Sequence, residues 1–282
     1  MAVLMKGKDL SQKMFENIKE EVSILDVKPS IVVIIVGNNS ASKIYVNKKK
    51  EAALLVGMTS HVIELEENIS QEKLEAQIDV LNKDESINAI LVQMPLPKHI
   101  NTDDIIQKIS PMKDVDGFHP LNVGKMVTGM EPYALPCTPA GIMMLMKEYG
   151  INPESRHAVI VGRSNIVGKP IASLLLNNNA TVTICHSKTK NLKEITNQAD
   201  ILIAAIGKPK FITKDFVKEG AVVIDVGINR TEAGKLVGDV DFENVEPKAG
   251  YITPVPGGVG PMTIAILILN TLNLYKLQKK EC

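Results

Sequence analysis

Runs of β-branched residues alternate with helix-period segments along most of the 282 residues, and this alternation confines the chain to α/β folds built on parallel sheets. Ile31–Val36 is an unbroken apolar run ended by Gly37, the pattern of a strand buried on both faces. A helix follows over Ser40–Val56, with Gly57 as its stop. Thr59–Leu65 alternates as a strand, Ser70 caps a helix reaching Leu81, and Ala89–Val92 is the next buried strand. Asn101 caps a short helix carrying Ile105, Ile106 and Ile109. From Asp114 to Thr138 the periodicity stops among Gly117, Pro120, Gly124, Gly129, Pro132 and Pro136, which reads as a long connection.

A helix over Pro139–Tyr149, stopped by Gly150, opens a second alternating unit. Its strands are Ala158–Val161, Thr181–Ile184, Ile201–Ile206 and Ala221–Val226, with helices over Val167–Leu176 and near Lys214–Lys218. The last helix begins at Pro261 and is apolar all round at Ile264–Leu269, so burial on most sides is expected.

Lys plus Arg and Asp plus Glu both number 32, so the formal charge is zero and a general polyanion binder is excluded; no nucleic-acid partner is expected. The longest apolar block is far too short to span a membrane, and no export signal precedes Lys6. Cys137, Cys185 and Cys282 form no C-x-x-C pair, so no metal knuckle or disulfide framework is expected and a reducing cytoplasm fits.

Val161-Gly162-Arg163-Ser164-Asn-Ile-Val-Gly168-Lys-Pro170 sits at a strand-to-helix turn, where a parallel sheet places a phosphate loop. Five residues separate the glycines, and Pro170 stands where a P-loop needs a hydroxyl, so a P-loop nucleotidase is rejected. As a Rossmann turn it departs from G-x-G-x-x-G, with Ser164 for the middle glycine and Gly168 displaced by one. A tight turn without cofactor is the competing reading. The next strand ends Cys185-His186-Ser187-Lys188, with no carboxylate to hold ribose hydroxyls. Ser187 and the Arg163 guanidinium suit a ribose bearing an extra phosphate, which favours NADP over NAD. Lys188 and Lys190 read as a solvated loop. Gly257, Gly258 and Gly260 crowd the loop before the last helix, permitting close backbone approach to a nicotinamide; a rigid crossover loop is the competing reading.

On the helix after the first strand, Ser42, Tyr45 and Lys49 fall on one face, beside an apolar stripe of Ala41, Ile44, Ala52 and Leu55. Tyr45 and Lys49 thus mark the margin between core and solvent; a solvated Lys48–Lys49–Lys50 face is the alternative. Gln93 ends a buried strand, where ligands of parallel sheets bind, and can orient Lys49. Asp114 and Asp116 lack the spacing of a calcium loop; a bare D-x-D is more often a backbone cap.

Together, Ser42-x-x-Tyr45-x-x-x-Lys49, Gln93-Met-Pro-Leu-Pro97, Lys113-Asp-Val-Asp-Gly-Phe118, Pro136-Cys-Thr-Pro-Ala-Gly141, Val161–Gly168 and Pro254-Val-Pro-Gly-Gly-Val-Gly-Pro-Met-Thr263 resemble the bifunctional methylenetetrahydrofolate dehydrogenase/methenyltetrahydrofolate cyclohydrolase family over nearly the whole chain. Met94, where leucine is common, is a departure without expected consequence. The resemblance implies an α/β fold of two domains with the active-site cleft between them. Residues 1–139 would form a parallel-sheet, folate-binding catalytic domain, with helix 262–282 packing back on it. Residues 140–261 would form a Rossmann-like NADP-binding domain.

It also implies NADP-dependent oxidation of methylenetetrahydrofolate, then hydrolysis to formyltetrahydrofolate, in purine, methionine and histidine biosynthesis. Lys49 would transfer protons, oriented by Gln93, with Tyr45 stacking on the folate. Ser42, Asp116, Gly258 and Pro261 would contact substrate, Asp116 through the pterin's N–H donors. Gly162, Arg163, Ser164, Gly168, Ser187, Ile228 and Thr263 would hold NADP. A homodimer paired through the nucleotide domains is implied. The alternative is a monofunctional dehydrogenase of the same fold. A dehydrogenase acting on an alcohol would need a carbonyl-polarising acid or metal, which the sequence lacks, and a dinucleotide sensor would need no lysine face.

Overall fold

A computed structural model describes residues 1–231 and 233–280; Cys282 and the side chain of Ala41 lie outside the described residues. The chain runs β1 (Val3–Leu4), α1 (Gly7–Ser23), β2 (Ser30–Val36), α2 (Ser40–Leu55), β3 (Thr59–Leu65), α3 (Gln71–Lys83), β4 (Ala89–Val92), α4 (Thr102–Lys108), α5 (Pro120–Val127) and α6 (Cys137–Glu148). It continues β5 (His157–Val161), α7 (Gly168–Asn177), β6 (Thr181–Cys185), α8 (Leu192–Thr196), β7 (Ile201–Ala204) and β8 (Val222–Asp225). It closes with β9 (Asn229–Arg230), β10 (Leu236–Val237), α9 (Phe242–Val245), β11 (Tyr251–Ile252) and α10 (Val259–Lys280). Gln12–Leu135 and the segment from Ile264 form one compact unit; Met1–Ser11 and Pro136–Thr263 form the other.

The first unit carries a parallel sheet in the order β3-β2-β4, with Val36 opposite Leu65 and Ile34 opposite Val92. β2 is buried along its whole length. Leu74, Ile78 and Leu81, spaced i, i+4, i+7 on α3, pack with Ile105 of α4 against Val32, Ile34 and Val36. Each such fully buried aliphatic side chain contributes about 1.5–3 kcal/mol. Helix ends are closed by cations, whose charge suits the C-terminal carbonyls. Lys28 Nζ donates to the carbonyls of Val22, Ser23 and Leu25 at the end of α1. Buried Lys113 donates to Leu81 and Asp84 at the end of α3, and burial pushes its ammonium pKa down. The middle of α10 is buried at Ala265–Ile268 and again at Asn270–Leu272, as its apolarity predicts, and its two polar anchors are specific. Asn270 Nδ2 donates to the carbonyls of Val115 and Leu135, both at 2.9 Å. Gln278 Nε2 donates to those of Asn88 and Met112.

The second unit is a six-stranded sheet ordered β1-β11-β8-β7-β5-β6, parallel throughout, with β9 and β10 as a separate hairpin. Its strands alternate between two cores. Ala158, Ile160, Ile201, Ile203, Val222 and Ile224 face one, with Ile171 and Leu175 of α7. Val159, Val161, Leu202, Ala204 and Val223 face the other, with Phe216. Met1–Ser11 group here, not with residues 12–135, because β1 extends this sheet by pairing with β11.

Several elements differ from the sequence reading, which marks none of β1, α8, β9, β10, α9 and β11. The stretch from Asp114 to Thr138 contains α5, and its apparent breakers are caps: Pro120 opens the helix, His119 Nδ1 accepts from Leu121 N, and Gly129 follows it at φ +73°. The segment near Lys214 is one 3-10 turn, Lys214–Phe216. Helix α1 is unmarked in the sequence reading, although Met14, Ile18 and Val22 recur every fourth residue and are buried.

Candidate active site

Helix α2 starts at a capped end, where Asn39 Oδ1 accepts from Ser42 N, and it stops at Gly57, φ +84°. Its inward line is Ser42, Val46, Lys49, Ala53 and Val56, spaced 4-3-4-3; four are buried and Lys49 is half-buried. The expected stripe is therefore displaced: Ile44 and Leu55 are exposed, and only Ala52 of its described members is buried. Lys49 belongs to the inward line itself, while Lys48 and Lys50 are exposed.

Gln93 follows β4, its N–H donating to Ile34 O of the central strand. Lys49 Nζ lies 3.0 Å from Gln93 Oε1, and Gln93 Nε2 donates to Met94 O at 2.8 Å. That second bond fixes which way the amide faces, so its oxygen is turned to the lysine. Tyr45 is half-buried one turn before Lys49. The two aspartates of Lys113–Phe118 have separate environments. Asp114 is buried, its Oδ2 accepting from His119 N at 2.8 Å and Asn122 Nδ2 at 2.9 Å. Burial raises its pKa to about 6. Asn122 also donates to Pro111 O and accepts from Tyr133 N. Asp114 thus pins the turn that carries half-buried Asp116.

In the second unit, β5, β6, β7 and β8 end in one row, with Val161 opposite Cys185 and Ala204, and Ala204 opposite Asp225. Gly162, Arg163, Ser187 and Ile228 lie just beyond that row. Gly162 has φ +135°, and a Cβ there would overlap Ala205 O; a Cβ on Gly168 would overlap Gly162 O. The turn is thus stripped of side chains over the strand ends, as close approach of a pyrophosphate requires. Ser164 Oγ accepts from Val167 N and Gly168 N, holding the turn against the start of α7. Arg163 and Ser187 are exposed on neighbouring strand ends, and Gly162 N donates to Cys185 O between them. No carboxylate stands at the end of β6, which fits NADP. The glycine-rich loop is equally tight: Gly258 N donates to Pro254 O, Lys8 N to Gly257 O, and a Cβ on Gly7 would overlap Gly258 O. Half-buried Pro261 lies in the first turn of α10, and Thr263 Oγ1 lies 2.9 Å from Thr138 Oγ1.

The profile of the tetrahydrofolate dehydrogenase/cyclohydrolase catalytic domain matches residues 5–116, and that of the family's NAD(P)-binding domain matches residues 136–279. The chain belongs to the tetrahydrofolate dehydrogenase/cyclohydrolase family. It is 56% identical to the bifunctional protein FolD of Bacillus cytotoxicus over 279 residues, 98% of this chain and 97% of that protein. The crystal structure of the bifunctional FolD enzyme from Campylobacter jejuni superposes with a TM-score of 0.97 at 52% identity, all of both chains being covered. The Trypanosoma brucei FolD structure, complexed with NADP cofactor and an inhibitor, gives 0.95 at 37% identity over 99% of each chain. Asn122, Asp225, Asp239 and Asn270 are absent from the sequence reading. They act by holding backbone, which no short motif marks.

Proposed function

We infer that Lys49, oriented by Gln93, moves the protons of the hydrolytic step. The chain is an NADP-dependent methylenetetrahydrofolate dehydrogenase and methenyltetrahydrofolate cyclohydrolase. Its curated relatives are named as bifunctional, and none of the matches above supports a dehydrogenase without the second activity.

NADP, when bound, supplies the acceptor for the hydride leaving the folate's methylene carbon. The folate nitrogen lone pair stabilises the resulting methenyl cation, so no proton leaves in this step and the chain needs no base for it. Its task is positioning. Tyr45 would stack on the folate, Asp116 would accept from the pterin's N–H donors, and Ser42, Gly258 and Pro261 would complete the substrate contacts. Gly162, Arg163, Ser164, Gly168, Ser187, Ile228 and Thr263 would hold the dinucleotide, with Arg163 or Ser187 meeting the extra phosphate.

Hydrolysis does move protons. Water oxygen bonds to the methenyl carbon and loses one proton to give a carbinolamine; as its carbon–nitrogen bond breaks, the hydroxyl loses the second proton and becomes the formyl carbonyl, the freed ring nitrogen takes one proton, and formyltetrahydrofolate remains with one proton released overall. Lys49 Nζ has one hydrogen engaged by Gln93 Oε1. As an amine it keeps its lone pair for the water's proton, and as an ammonium it can return a proton to the ring nitrogen. The 3.0 Å Lys49–Gln93 bond at the strand end is the observation that carries this reading.

Two further readings belong to the proposal. The partner is a second copy, paired through the NADP-binding unit: β6 is an edge strand, and Ile184 on it and Leu176 on neighbouring α7 are exposed. Light scattering giving the mass of a single 30.7 kDa chain overturns that. The compartment is the cytoplasm; no helix among the described residues is long and apolar enough to cross a membrane. Purified protein given methylenetetrahydrofolate and NADP should show methenyl absorbance rise and then decay faster than its spontaneous hydrolysis. Rise without accelerated decay rejects the cyclohydrolase reading.

A further inference from the structure

Two buried acids at the carboxyl edge of the six-stranded sheet take no part in the chemistry above. Asp225 ends β8 and is 3% exposed; Asp239 follows β10 and is fully buried. Their oxygens are met by main-chain amides and, for Asp239, by the Asn229 carboxamide as well. Asp239 Oδ2 accepts from Ile206 N at 2.6 Å and Gly207 N at 2.9 Å. Its Oδ1 accepts from Lys208 N and Asn229 Nδ2, both at 2.9 Å. Asp225 Oδ1 accepts from Gly227 N and Asp239 N, and its Oδ2 from Val240 N, all at 2.9 Å. Asp225 N in turn donates to buried Thr253 Oγ1 at 2.8 Å. The chain makes room for both groups: a Cβ on Gly238 would overlap Asp225 Oδ2, and one on Gly227 would overlap Asp239 Oδ1.

These bonds leave little capacity for a ligand. A carboxylate offers about four lone-pair sites, and Asp239 has all four taken. It is therefore neither a ribose acceptor nor a metal ligand. What it does is fix backbone. The amides it holds, 206–208, follow β7, and Ala205 O in that same segment is the atom against which Gly162 packs. The turn fixed by Asp225 and by Asn229 carries Ile228, which is 47% exposed beyond the strand ends.

We propose that Asp225 and Asp239 are positioning residues for NADP: a linked carboxylate pair that locks the turns after β7 and β8 in their binding shape before the cofactor arrives. This rests on the NADP reading of the second unit. Locking the turns beforehand removes an ordering cost from binding, so loss of the lock should appear as weaker cofactor affinity, with folate hydrolysis spared.

The test compares Asp239→Asn with Asp200→Asn. Asp200 is also a carboxylate accepting a backbone amide, His157 N at 2.9 Å, and it pairs with Lys218 at 2.6 Å, but it lies at the opposite, amino edge of the same sheet. Calorimetric titration with NADP should show Asp239→Asn weakened at least about tenfold and Asp200→Asn within about twofold of wild type. Hydrolysis of methenyltetrahydrofolate without NADP should stay within about twofold of wild type in both. In cofactor-free wild-type protein, the amides of 206–208 and 239–240 should exchange with deuterium as slowly as those of β7. The proposal is overturned by an Asp239→Asn protein of unchanged NADP affinity, by equal weakening in Asp200→Asn, or, should Asp239→Asn not fold, by wild-type amides at 206–208 exchanging as fast as exposed 66–68. Wild-type protein that does not bind NADP overturns the cofactor reading, and the proposal with it.

Discussion

Lys49→Met is expected to fold normally and to lose cyclohydrolase activity by at least about 100-fold, or about 2.7 kcal/mol of barrier. Methionine keeps an unbranched stem of similar length on the inward line of α2, so packing beside Val46 and Ala53 is retained. The folded state loses one hydrogen bond, Nζ to Gln93 Oε1, from a half-exposed position, which costs stability about 1 kcal/mol or less. The reaction loses its proton carrier. Gln93→Leu gives an intermediate case: the amine stays but its acceptor goes, removing about 1.5–3 kcal/mol of orientation, roughly 10- to 100-fold in rate. The dehydrogenase step should suffer less than the hydrolytic step in both variants, since no proton moves in it. The assay is decay of methenyl absorbance, corrected for spontaneous hydrolysis, with thermal unfolding as the control for folding. A Lys49→Met protein that hydrolyses methenyltetrahydrofolate at the wild-type rate refutes the assignment, as does a Gln93→Leu protein more impaired than Lys49→Met.

Asp116→Ala should weaken folate binding while NADP titration is unchanged; the reverse pattern in the two titrations would show that the carboxylate serves the other unit. Arg163→Ala should raise the Michaelis constant for NADP about tenfold more than that for NAD, for one charge-assisted contact; equal loss with both cofactors in parallel assays would remove the extra phosphate from its role. Burial raises Asp225 to about 7 and Asp114 to about 6, both from an ordinary 3.8. The folded chain therefore holds protons that the unfolded chain has released, and this contribution to stability, full below about pH 4, is lost as pH rises towards 7. For Asp225 it amounts to up to about 4 kcal/mol. His119, held below its ordinary value by burial, acts oppositely in part of that window, so the informative quantity is a difference. Urea unfolding between pH 5 and 8 should fall with pH more steeply in wild type than in Asp225→Asn; parallel profiles would mean that Asp225 does not titrate there.

Much of the fold and half of the site are legible in the sequence, for identifiable reasons. Ile31–Val36 reads as a strand because a run buried on both faces needs no partner to be recognised. Gly57 and Gly150 read as helix stops because a left-handed φ is a local requirement, met at +84° and +67°. Lys49 and Gln93 stand in a helix and at a strand end, so topology brings them together. Strands β1 and β11 have two residues each and exist only through parallel partners far away in sequence, so periodicity cannot mark them. Helix α5 is hidden because Pro120 and Gly129 look like breakers when its extent is unknown. The inward line of α2 is misread because Ile44 and Leu55 are as apolar as Val46 and Ala53, and only packing decides which pair turns inward. Asp225 and Asp239 are silent because any acidic residue in a turn looks solvated until the amides around it are counted.

Asn270 has a consequence for how this sequence can drift. The turns of α10 around it are filled by Ile266, Leu267, Ile268 and Leu272, which are nearly interchangeable in volume and chemistry. A helix so uniform could rotate about its axis and still cover its apolar surface, exchanging one aliphatic contact for another. The carboxamide forbids this, because any rotation would leave the carbonyls of Val115 and Leu135 without their donor inside a dry core. Sequence information in this stretch is thus very unevenly distributed. A library randomised over the aliphatic positions should return many combinations of leucine, isoleucine, valine and methionine, whereas a library at position 270 should return asparagine almost alone.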